Sequence, residues 1–126
     1  MRSRNDGKRI TIDAAILIEQ YAIDVADTLL VLDEDTPYEE QLHLVLVRKN
    51  RILDHIVIGT IYSSGIFKEV GAANNTLRFR FESDAVWSLS IDSAGRRVFG
   101  GLPRGARRRG GLFARRHLFL EYGEVV

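Results

Sequence analysis

The sequence predicts an α+β domain, with one N-terminal helix packed on a strongly curved antiparallel sheet of about six to eight strands. Three observations point there. Residues 10–33 run without Gly, Pro or Asn and carry polar residues at helical spacing. From residue 38 onward the pattern is β: strand-length runs, apolar on both faces in the middle of 38–47 and 52–62 and cleanly alternating over 76–82, are broken by short clusters of Gly, Asn, Asp and Ser. The chain has 126 residues, 45% hydrophobic and 28% charged, which suits one soluble domain with a real core. A small all-β barrel, with residues 10–33 as two bent strands, is the alternative.

The first nine residues, MRSRNDGKR, read as a basic N-terminal arm preceding a single domain over 10–126. They are charged and lack an apolar stretch, so no secretory leader is expected and a cytoplasmic location is. Within 14–30 the residues Gln20, Asp24, Asp27 and Thr28 recur three and four apart and form a polar stripe. Ile16, Ala22, Ile23, Ala26, Leu29 and Leu30 lie opposite, and Asp13 stands where an N-cap acceptor belongs. Against the helix stand the β-branched content and the alternation Ile10, Ile12, Ala14, Ile16, Ile18. Asp13, Glu19, Asp24 and Asp27 break the run, so no membrane span or membrane partner is expected.

DEDTPYEE (33–40) reads as an acidic turn, and strands at 38–47 and 52–62 flank RKN as a hairpin. Ser64-Gly65 would turn the chain into 66–70, with Tyr62 opposite Phe67, and GAANN (71–75) would turn it again. In 76–82 Leu77, Phe79 and Phe81 alternate with Arg78, Arg80 and Glu82. A loop at 83–85 would set Phe81 opposite Trp87, Phe79 opposite Leu89 and Leu77 opposite Ile91. DSAG (92–95) reads as a turn, a Gly/Arg-rich loop spans about 99–113, and HLFLEY (117–122) closes the sheet.

Chemistry is sparse. With no cysteine, disulfides, thiolate catalysis and cysteine-based zinc sites are excluded. The histidines are His43, His55 and His117. A two- or four-residue hairpin loop would pair His43 with Ile56 and His55 with Leu44, placing the two imidazoles on opposite faces. No metal site and no cofactor are therefore expected. Asp54 and His55 are strand neighbours and point apart, and Ser63-Ser64-Gly65 is no nucleophile elbow. Walker and dinucleotide glycine loops are absent as well, so no catalytic residue is assigned and a non-enzyme is expected.

Charge carries the functional signal. Residues 96–126 hold eight arginines against Glu121 and Glu124, a net +6, which leaves −5 for the rest of a chain of net charge +1. Arg104, Arg107, Arg108, Arg109, Arg115 and Arg116 are the expected basic binding residues, on glycines that let the backbone approach a phosphate closely. Asp33, Glu34, Asp35, Glu39 and Glu40 form an acidic patch that could receive them, within one molecule or between copies. Tyr62, Phe67, Phe79 and Trp87 could instead line an apolar pocket. The leading expectation is a non-enzymatic interaction or self-associating module with a protein partner or a second copy. Sequence-independent nucleic-acid binding through the arginines and apolar-ligand binding are the alternatives.

Overall fold

The computed structural model describes residues 2–3, 16–36, 39–59, 65–81, 85–98, 101–109 and 115–123. All regular structure among them is β: β1 (Arg2–Ser3), β2 (Ile16–Ala22), β3 (Asp27–Thr36), β4 (Glu39–Arg48), β5 (Arg51–Ile58), β6 (Lys68–Ala73), β7 (Thr76–Arg80), β8 (Val86–Arg96), β9 (Ala106–Arg109) and β10 (Arg116–Tyr122). The first sheet has the order β1-β2-β3-β4-β5-β9, with the two-residue β1 at its rim, and the second has the order β10-β8-β7-β6. Every pairing is antiparallel.

The expected N-terminal helix is overturned, and the all-β alternative fits. Asp24 decides the matter locally. Its Oδ1 accepts the backbone N–H groups of Ala26 and Asp27 at 2.8 and 2.9 Å, closing a turn where a helix would have continued. Those two backbone donors hold the Asp24 carboxyl below the usual carboxylate range. The polar stripe thus divides into the turn residue Asp24, the strand residues Gln20 and Thr28, and Asp27, which is fully buried and gripped by Arg48 at 2.6 and 2.9 Å. Residues on both sides of the turn then pair as strands, the apolar Tyr21 opposite Leu29 and Gln20 opposite Leu30.

Tight turns with left-handed backbone join the next strands. Lys49 and Asn50 (φ 49° and 66°) connect β4 to β5, and Asn74 and Asn75 (φ 54° and 58°) connect β6 to β7. Both are two-residue hairpin turns whose twist matches the strands they join. The GAANN turn is therefore confined to the two asparagines, with Gly71–Ala73 inside β6. In the β7–β8 pair Leu77 faces Leu89 and Phe79 faces Trp87, two residues away from the expected register. An even slip keeps the same side chains on the same face, so the aromatic cluster survives it. DSAG is no chain reversal. It is a bulge inside β8, where Arg116 pairs with Arg96 but Leu118 already pairs with Ile91.

The sheets enclose one core. Tyr21, Leu29, Val31, Leu42, Leu44, Leu46, Ile56 and Ile58 from the first meet Leu77, Phe79, Phe81, Trp87, Leu89, Ile91, Leu118 and Leu120 from the second. Leu30, Leu32, Val45 and Val47 form a second buried cluster, placed by strand alternation on the opposite, outer face of the first sheet. Among the described residues polar clasps tie the sheets together. Tyr21 Oη donates to Glu69 Oε1, Arg48 Nη2 donates to the Ser93 carbonyl at 2.7 Å, and Asp54 reaches β10.

Candidate functional site

The β4–β5 hairpin has the two-residue turn that separates His43 from His55 by face, yet the two rings meet. Val47 pairs with Ile52 while Leu46 pairs with Asp54, so Leu53 is an extra residue that shifts the register by one. This bulge inverts the facing of everything after it. His55 turns to the outer face beside His43, with His43 Nδ1 and His55 Nε2 2.8 Å apart and the ring centroids 5.0 Å apart. The expectation of opposite faces is corrected, for want of a sequence signal at Leu53.

A carboxylate and two guanidiniums extend the pair across the sheet. Glu34 Oε2 on β3 lies 3.3 Å from His43 Nε2. On the far side β9 pairs with β5, setting Arg109 opposite His55 and Arg107 opposite Val57. The outer face thus presents Glu34, His43, His55 and the arginines in order across β3, β4, β5 and β9. Desolvation, ahead of the opposing pull of Glu34, lowers the His43 imidazole below its usual range. Desolvation, then His43 and Arg109, push His55 down to about 4. Both rings are neutral at pH 7. Glu34 can only accept, so His43 Nε2 carries a proton and its Nδ1 is a lone pair. His55 Nε2–H therefore donates to His43, and His55 Nδ1 is left as an acceptor. Among the described residues that nitrogen has no hydrogen-bond partner.

Comparison with protein-family models, with curated proteins and with solved structures finds no match to this chain.

Of the expected basic residues, Arg107 and Arg109 share the outer face of β9, and both are exposed. Arg107 Nη2 donates to Gln41 Oε1 at 3.1 Å and Nη1 to the Gly59 carbonyl at 3.4 Å, both neutral acceptors. Among the described residues neither arginine has a carboxylate partner. Arg108 points the other way. Its Nη1 meets Asp54 Oδ2 at 2.5 Å and its Nη2 donates to the Leu118 carbonyl at 3.1 Å. Arg116 is buried in β10, Arg115 donates to the Gly95 carbonyl at 3.2 Å, and Arg104 is exposed in the turn before β9. Part of the expected loop is therefore a strand, whose alternation divides the arginine run between a structural clasp and a free face.

The acidic residues are divided in the same manner. Asp33, Glu34 and Asp35 end β3 and Glu39 and Glu40 begin β4, with Asp35 opposite Glu40. Alternation sets Glu34 on the outer face and Asp33 on the inner. The side chains of Asp35, Glu39 and Glu40 lie outside the described residues. So does Tyr62 of the expected pocket, whose other members sit in or against the core. Phe79 stacks on Trp87 with centroids 6.5 Å apart, and Phe67 packs on Phe79 at 5.4 Å. His117 is structural, its Nδ1 2.9 Å from the Asp92 carbonyl. Among the described residues no three His, Asp or Glu groups converge as a metal site, and no helix is long and apolar enough to cross a membrane.

Proposed function

We propose that the protein is a non-enzymatic interaction module, with the cytoplasm as its expected compartment, that recognises an anionic partner through the outer face of β9. One observation carries this reading. Arg107 and Arg109 stand exposed on one face of a sheet edge with no counter-carboxylate among the described residues, whereas Arg108 between them is neutralised by Asp54. Two guanidiniums two residues apart on a strand are about 7 Å apart at the backbone, close enough for one anionic group or two adjacent ones. The test is anisotropy of a labelled acidic peptide and a labelled single-stranded oligonucleotide at low and high salt. Replacing both arginines by glutamine is expected to weaken binding by about tenfold or more and to flatten its salt dependence. Unchanged binding by that variant rejects the reading, and the better probe separates a protein partner from nucleic acid.

A second observation favours self-association. Ile16, Leu17 and Ile18 on β2 are 68, 44 and 41% exposed, and among the described residues the β1 pairing covers Tyr21 and Ala22 beyond them. An apolar strand edge of this kind can add a strand from another copy. Sedimentation over a concentration series is expected to show a dimer that Ile16→Lys and Ile18→Lys together disperse. A monomer throughout the series excludes it.

A further inference from the structure

We propose that Arg107, Arg109 and His55 form a site for a phosphate monoester, the guanidiniums taking two of its oxygens and a protonated third oxygen donating to His55 Nδ1. The inference rests on the anion-recognising reading above and names its ligand class.

The hydrogen-bond direction across the sheet supplies the argument. Glu34 fixes the tautomer of His43, and His43 fixes that of His55, so the site ends in a lone pair and not in a donor. The charged and titratable groups around His55 are His43 on β4, with Glu34 on β3 beyond it, Arg107 and Arg109 on β9, and the preceding Asp54, whose Oδ2 turns to the other face. A fully ionised oxyanion placed on the two arginines would meet that lone pair with repulsion. An oxyanion that keeps one proton meets it with a hydrogen bond. A phosphate monoester is such an anion, because its second ionisation lies near pH 6. Sulfate has the same shape and charge but holds no proton near neutral pH. The site therefore separates the two by one hydrogen bond, as a donor-lined site would not. A metal ion is disfavoured at this place by the two adjacent guanidiniums.

Titration calorimetry with methyl phosphate, inorganic phosphate and sulfate tests the assignment on the full chain. Both phosphates are expected to bind about tenfold or more tightly than sulfate near pH 6.5. Their affinity is expected to fall by about tenfold per pH unit above the phosphate ionisation, with uptake of about one proton per ligand. Arg107→Gln and Arg109→Gln lie at exposed positions and should remove binding while leaving the fold intact by circular dichroism. Equal binding of phosphate and sulfate, affinity that rises with pH, or no binding of either phosphate overturns the proposal. Acidic-peptide or oligonucleotide binding that still depends on the two arginines would then leave the broader reading standing. A 5′-phosphorylated dinucleotide compared with its 5′-hydroxyl form, beside methyl phosphate, shows whether the ester belongs to a nucleic-acid end or to a small metabolite.

Discussion

Replacing Asp54 by alanine removes an acceptor shared by both sheets. Its Oδ2 takes Arg108 Nη1 and the backbone N–H groups of His117 and Leu118 at 2.9 and 3.0 Å, while Oδ1 takes the N–H of His55. The variant leaves a largely buried guanidinium without its counter-charge, so a loss of about 3–5 kcal/mol in urea unfolding is expected. Asp54→Asn keeps an acceptor and should lose less; equal stability of Asp54→Ala and wild type would show that the clasp is idle. Tyr21 makes a second residue-scale prediction. Burial, then the hydrogen bond to Glu69, raise its phenol well above the ordinary value of about 10. Only the unfolded chain ionises there just above pH 10, so stability is level below that pH and falls as pH rises beyond it. In unfolding experiments over the alkaline range, Tyr21→Phe should show the shallower decline. Neither role was legible in the sequence, because each depends on a partner far along the chain.

At the scale of the element, β8 shows how a turn signal can be right in chemistry and wrong in consequence. Asp92 Oδ1 accepts the N–H groups of Ala94 and Gly95 at 3.1 and 3.2 Å, as an Asp in a turn does, but the strand resumes afterwards. Gly95 has φ +76°, and a Cβ there would lie 2.6 Å from the His117 ring. Gly95→Ala combines left-handed strain with that clash and should cost about 1–3 kcal/mol. If the clash contributes, His117→Ala in the same chain recovers part of the loss, and a double-mutant cycle in thermal or urea unfolding measures it. Additive losses would assign the whole cost to the backbone. The alternating strand at Thr76–Arg80 and a hairpin reversal around RKN were readable because their signals are local, while the two-residue length of that turn was not fixed by them. The helix expected over 14–30 failed because a spacing of three and four between polar residues also arises from one turn residue and one buried ion pair.

For the whole molecule, the net effect of the histidine pair is sensitivity to acid. The folded-state value of His55, about 4, lies below the unfolded value of about 6.5. Its contribution is complete above pH 6.5 and is lost as pH falls through about 4, with His43 acting in the same direction. A stability–pH profile should therefore slope downward on the acid side of neutrality, and His55→Gln should flatten that slope. An identical slope in the variant would place the acid sensitivity elsewhere. The charge asymmetry read from the sequence keeps its meaning at this scale, though strand alternation, which net charge does not report, assigns half of the β9 arginine run's work to the core. Leu53 governs both outcomes. Because this residue is bulged out of the β4–β5 ladder and not paired within it, Asp54 faces the second sheet and His55 faces the arginines. Absorbing it into regular pairing would exchange the two, aiming an imidazole at the clasp and a carboxylate at Arg109, whereas deleting it would leave Asp54 against Leu46 and His55 against Val45 in an unbroken ladder. Loss of Leu53 is thus a change of one residue that this hairpin should accept without exchanging its faces, because the ladder on either side of it is already in step.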